Sequence, residues 1–80
     1  VARARVELAT RLGVDPATID VVSVTQQEMP IQFLGCPPLG APPRVDLPAM
    51  VMGEEIVLRH EGVDHVYHAR TVQLFYCGPR

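Results

Sequence analysis

The sequence predicts an α+β domain: an N-terminal helix packed on a small antiparallel sheet of about four strands, with a long proline-rich loop between strands one and two and one disulfide. Three observations carry that expectation. Residues 1–12 repeat apolar side chains at helical spacing, and residues 54–77 alternate at strand spacing around a glycine turn. Five of the eight prolines fall within residues 33–50, "FLGCPPLGAPPRVDLPAM", a stretch that can be neither a proper helix nor an interior strand. All 80 residues are expected to form a single domain.

In "VARARVELATRL" the side chains of Val1, Ala4, Leu8 and Leu12 share one face, with Ala9 beside them, while Glu7, Thr10 and Arg11 gather on the other and are expected to meet solvent. Gly13 fits the helix stop, a position that favours positive φ. "DPATI" starts afresh as one short turn, with Asp15 capping free amides and Pro16 at the first helical position. The β-branched run "VVSVTQQ", residues 21–27, is the first strand, ended by Met29-Pro30. Periodicity then fails across residues 29–53, which are read as the loop.

The hairpin is the clearest local signal. A two-residue turn at Glu61-Gly62 pairs His60 with Val63, Arg59 with Asp64, Leu58 with His65, Val57 with Val66 and Ile56 with Tyr67. One face then carries Ile56, Leu58, His60, His65 and Tyr67 and is expected to be the more buried; the other carries Val57, Arg59, Asp64, Val66 and His68. After a bend at residues 70–72, "QLFYC" completes the meander and sets Cys77 at a sheet terminus, within reach of a loop cysteine.

A domain this small buries only about 60% of the surface of its unfolded chain, so its core is marginal. Cys36 and Cys77 lack the CxxC spacing of a zinc ribbon or a thioredoxin-type site, which leaves a disulfide or two buried thiols; the scarcity of core favours the disulfide. Closing that loop is worth about 3–4 kcal/mol by chain entropy, against a total stability of about 5 kcal/mol. The formal charge of −2 gives no reason to expect nucleic acid or an anionic membrane. Arg3, Arg5 and Arg11 are separated by Glu7, and aromatic residues are scarce, so a base-stacking surface is not expected either. No apolar run approaches the ~18 residues of a membrane span, and membrane insertion by this segment is not expected. Val1 is an unusual natural start, which leaves room for a longer precursor with an export signal or lipid anchor.

His60 and His65 share the predicted buried face, and Met29, Met50 and Met52 could add soft ligands, which makes a metal-handling domain one alternative. His68 points the other way, and a strand-borne pair without a third fixed ligand is a weak metal signal; Met50 and Met52 are expected to seal the core edge from the loop. No metal or other cofactor is therefore expected. Catalysis is not expected: Cys36 is oxidised in the favoured reading, Ser23 sits in a strand, Thr71 lies in a turn, and there is no phosphate loop, carboxylate pair or HExxH. His68 is expected to bond a backbone carbonyl or to stack on the proline-rich loop.

The succession "RLGVDPATIDVVSV", "LGCP", "IVL", a glycine turn, "VYH" and a closing cysteine resembles a group of small bacterial exported or lipoprotein-borne domains of unestablished function. Leu34, Gly35, Cys36, Pro37, Tyr67, His68 and Cys77 carry that resemblance most specifically. This chain departs from the pattern in its proline-richer loop, in Glu55 before "IVL" and in a shorter last turn. The resemblance implies export to the cell envelope or the extracellular space, the fold and the disulfide, and it implies no reaction.

Consecutive prolines hold a backbone extended without a sheet to pair it, which lowers the entropy lost on binding. The expected function is an exported, non-catalytic interaction domain that engages another protein through Pro37, Pro38, Leu39, Gly40, Pro42, Pro43 and Arg44. Its sharpest form is a protease inhibitor with Leu39 or Arg44 filling the enzyme's pocket. A structural accessory domain of a larger cell-envelope protein is the other alternative. The loop can also wrap the open sheet face with Phe33, Leu34, Leu39, Val45 and Leu47, and both roles coexist if only the tip is exposed.

Overall fold

A computed structural model of the protein describes residues 1–30, 32–36 and 49–80. Helix α1 (Ala2–Leu12) leads through a 3-10 turn (Pro16–Thr18) into β1 (Asp20–Pro30), and a second 3-10 turn (Gln32–Gly35) follows. Strands β2 (Met50–His60), β3 (Val63–Arg70) and β4 (Gln73–Pro79) complete the chain. The four strands form one antiparallel sheet in the order β1-β2-β3-β4, so every neighbour in the sheet is also a neighbour in sequence.

The expected helix, sheet and hairpin register are all present, and the five predicted cross-strand pairs form as written. Both residues of the β2–β3 turn have positive φ, 50° at Glu61 and 77° at Gly62, as a two-residue hairpin turn requires. Arg59 Nε lies 2.6 Å from Asp64 Oδ1 across the strands. Gly13 stops α1 in the left-handed region, and Val14 donates its backbone N–H to Ala9 O, satisfying an end carbonyl of the helix. Asp15 Oδ1 accepts from Ala17 N at 2.9 Å, the cap expected of "DPATI".

Two expectations are corrected. Residues 29–30 and 50–53, read as loop, are strand: Gln27 pairs with Gly53, Glu28 with Met52, Met29 with Val51 and Pro30 with Met50. Pro30 is tolerated because it is the last residue of an end strand, where a missing N–H costs little. Gly53 is a packing requirement rather than a breaker, since a Cβ there would stand 2.6 Å from Met29 Sδ and 3.0 Å from Ala69 O. With this register Met29 is the methionine that is buried; Met50 and Met52 lie on β2 and are exposed, so they do not seal the core.

The second correction concerns α1, whose buried stripe is shorter than expected. Ala4, Leu8 and Ala9 are buried against Ile19, Ile56, Leu58 and Tyr67, as the apolar stripe requires, although Val1 and Leu12 at its ends are exposed. Arg11 meets solvent as expected and Glu7 is half-buried, and both side chains also reach across to the sheet. The Tyr67 hydroxyl donates to Glu7 Oε2, Arg11 pairs with Glu7 Oε1 at 2.6 Å, and the Arg11 guanidinium lies 4.2 Å from the centre of the Tyr76 ring. Long side chains flanking a narrow stripe bend over its edge to reach such partners.

The opposite face of the sheet is covered too. Val57, which points away from the helix, is fully buried. On that side Leu34, in the turn Gln32–Gly35, is also fully buried, and Cys36 follows it. Among the described residues, the sheet therefore carries α1 on one face and the turn Gln32–Gly35 on the other.

Replacing Gly53 with Ala is expected to cost about 1–3 kcal/mol, read as a lower denaturant midpoint, because both Met29 and the β3 backbone must give way. The hydrogen bond from Arg59, aided by its charge, holds the Asp64 carboxyl below its ordinary range. A carboxyl depressed in the folded state stabilises above its unfolded pKa and ceases to as pH falls through the folded one. The difference in melting temperature between the wild type and Asp64→Asn should therefore be full at neutral pH and narrow from about pH 4 downward.

Candidate functional site at the disulfide

Cys36 reaches the sheet because the chain reverses just before it. Leu34 and Gly35 take positive φ values of 48° and 82° in succession, which turns the backbone back over β3 and β4. Gly35 is needed there for a second reason: a Cβ would lie 3.2 Å from Pro30 Cδ and 3.8 Å from His68 Nδ1. Cys36 is bonded to Cys77 on β4, closing a sequence separation of 41 residues, with the two Cα atoms 4.8 Å apart. Both cysteines of the chain are consumed in this bond.

Beside the disulfide stands His68. The register sets it between Glu55 on β2 and Phe75 on β4, on the face away from the helix. Its Nδ1 lies 2.6 Å from Leu34 O, and its Nε2 lies 3.1 Å from Glu55 Oε2. The bond to a backbone carbonyl is the one expected from the sequence. A carbonyl and a carboxylate both accept, so the ring donates to both only when doubly protonated. Gln27 Nε2 donates to the same Glu55 oxygen at 3.4 Å, which fixes the carboxylate from the β1 side.

A nitrogen of His68 and the sulfurs of Cys36 and Cys77 all lie within 4.8 Å of one another, and this is the group of potential metal ligands found among the described residues. Neither His60 nor His65 joins it. His60 Nδ1 lies 3.4 Å from Thr18 Oγ1, while His65 Nδ1 lies 2.8 Å from the Tyr76 hydroxyl and its ring stacks on that tyrosine. The two rings share a face but are each taken up by a different neighbour. Pro37, Pro38, Leu39, Gly40, Pro42, Pro43 and Arg44, with Val45 and Leu47, lie outside the described residues. Ser23 sits on β1 opposite Val57 and Thr71 in the β3–β4 turn, and neither is joined to a histidine by the hydrogen bonds of the described residues.

Glu55 was the neighbour that sequence reasoning passed over, although the hairpin register carried one step further puts it directly opposite His68. Arg3 donates to Val72 O at 3.1 Å, tying the start of α1 to the β3–β4 turn.

Residues 1–77 match a family described as a domain of unknown function, DUF8738. The chain belongs to that family. The stretch matched by DUF8738 takes in Glu55, His68 and both cysteines, and it ends at Cys77, the second half of the disulfide. No curated protein and no solved structure matches the chain. No helix among the described residues is long and apolar enough to cross a membrane, and the disulfide is consistent with an oxidising environment.

Loss of the bond in Cys36→Ser/Cys77→Ser is expected to cost about 3–4 kcal/mol by the chain-entropy account, read as a lower denaturant midpoint with a steeper slope, because the unlinked unfolded chain exposes more surface.

Proposed function

We propose that this DUF8738 chain is an exported, non-catalytic interaction domain that binds another protein through residues 37–44 of its proline-rich loop. The observation that supports it most is how the segment is anchored. It departs from Cys36, which is buried and covalently tied to β4, and two residues after Pro48 the chain is already paired in β2. A segment held at both ends and stiffened by Pro37, Pro38, Pro42, Pro43 and Pro48 loses little entropy on binding. The same bond supports the export reading, since disulfides persist in oxidising compartments.

The finer form of the proposal is a protease inhibitor. Substrate-like inhibition needs an extended backbone and one side chain that fills a specificity pocket, and Leu39 and Arg44 are the residues of suitable shape. Leu39 suits a chymotrypsin-like pocket and Arg44 a trypsin-like one.

Titrating the oxidised domain into secreted serine proteases of both specificities is expected to inhibit one of them. Arg44→Ala should abolish inhibition of a trypsin-like enzyme, or Leu39→Ala that of a chymotrypsin-like one, with the melting temperature unchanged. Cleavage of segment 37–44 at equal rates in the oxidised and the reduced protein, with inhibition of neither enzyme, would remove the inhibitor reading.

A further inference from the structure

We propose that Cys36, Cys77 and His68 form a zinc site when the disulfide is reduced, with Glu55 orienting the histidine ring. The proposal goes beyond partner binding and does not depend on the segment 37–48.

The geometry points to zinc in three ways. First, the donor set is two thiolates and one imidazole, a combination found around tetrahedral zinc. Second, the donors already converge. Their atoms lie within 4.8 Å of one another, while ligands around tetrahedral zinc stand about 3.3–3.8 Å apart at its usual bond lengths. Freed from their bond, the two sulfurs must separate to non-bonded distance, which moves them toward that spacing. His68 Nδ1 lies 2.6 Å from Leu34 O, the carbonyl two residues before Cys36, so the ring faces the turn that carries the first sulfur. Third, His68 Nε2 is held by Glu55 at 3.1 Å. A ligating histidine commonly gives its other ring nitrogen to a carboxylate, which fixes the ring and raises its basicity. Burial completes the site: Cys36 is 6% exposed and the His68 side chain 13%, so a bound ion would be sheltered from bulk water.

The step balances with a dithiol as reductant. Two electrons and two protons pass from the dithiol, whose sulfurs join to each other; the Cys36–Cys77 bond breaks and each Sγ gains a hydrogen. Zinc then displaces both thiol protons to solvent and is held by two thiolates and the neutral ring, which releases Leu34 O. Disulfide and zinc are thus alternative staples at one point of the fold, the first formed under oxidising and the second under reducing conditions.

The test is metal titration of the full chain after reduction with dithiothreitol and anaerobic removal of the reductant. Cobalt(II) should give the intense visible bands of a tetrahedral thiolate site in the reduced protein and none in the oxidised protein, and zinc should displace it. His68→Ala should weaken zinc binding at least tenfold and Glu55→Gln by about 10- to 100-fold, whereas His65→Ala should leave it unchanged. Because reduction lowers stability, a second readout is the melting temperature of the reduced chain, which zinc should raise in the wild type and in His65→Ala but not in His68→Ala. Absence of the cobalt bands after reduction overturns the proposal. Equal zinc affinity in His68→Ala and the wild type overturns it as well, since two cysteines alone would then account for binding.

Discussion

A sheet with apolar side chains on both faces needs two covers, and this chain has residues for one helix. Among the described residues the second cover is the four-residue turn Gln32–Gly35, which is not itself paired into the sheet. The bond from Cys36 to Cys77 supplies what that turn lacks: it fastens the cover to β4 and keeps Leu34 fully buried over the face that also buries Val57. For a chain of 80 residues, total stability is on the order of 4–12 kcal/mol, so one cross-link worth a few kcal/mol carries a large share of it. The helix face depends on it less directly, being closed by its own aliphatic contacts and by the clamp of Glu7 on Tyr67.

The disulfide also decides what surrounds it. Once the turn is fixed above the sheet, its carbonyl at Leu34 needs a donor, and His68 provides one from β3. The other nitrogen of that ring meets Glu55 on β2, which is itself held by Gln27 on β1. A line of polar contacts therefore runs across three strands and up into the turn, on the face that also carries Val57, Phe75 and the disulfide. Buried polar groups of this kind are tolerated because each finds a partner, and they restrict how the turn can sit.

Much of this was legible from the residues. The hairpin register follows from Gly62 and from the pairing of Arg59 with Asp64, because a strand shifted by one residue would turn Ile56, Leu58 and Tyr67 to the wrong face. Gly13 and the "DP" step gave the ends of the two helical pieces, since backbone conformation there is set by the residue itself. The strand ends were not legible. Pro30 and Gly53 carry the same local signature whether they end a strand or lie in one, and only the partner strand tells the two apart. Nor could the stripe on α1 reveal that Glu7 and Arg11 lean onto Tyr67 and Tyr76, because that depends on how far the helix axis stands from the sheet. The site followed the same division: its cysteines and the carbonyl bond of His68 were foreseeable, while its convergence needed the turn at Leu34-Gly35 to be seen in place.

The sequential strand order has a consequence for how the molecule assembles. Strands β2, β3 and β4 are joined by tight reversals, so they can zip together with little loss of chain freedom. Strand β1 must close a far longer excursion to find β2 and is placed to join afterwards, with the turn and Cys36 behind it. Oxidation is then a late event that locks a nearly finished body, and because the chain has only two thiols there is a single way to join them. Within these 80 residues no mispaired isomer exists for a disulfide isomerase to correct; what that last closure needs is an oxidant.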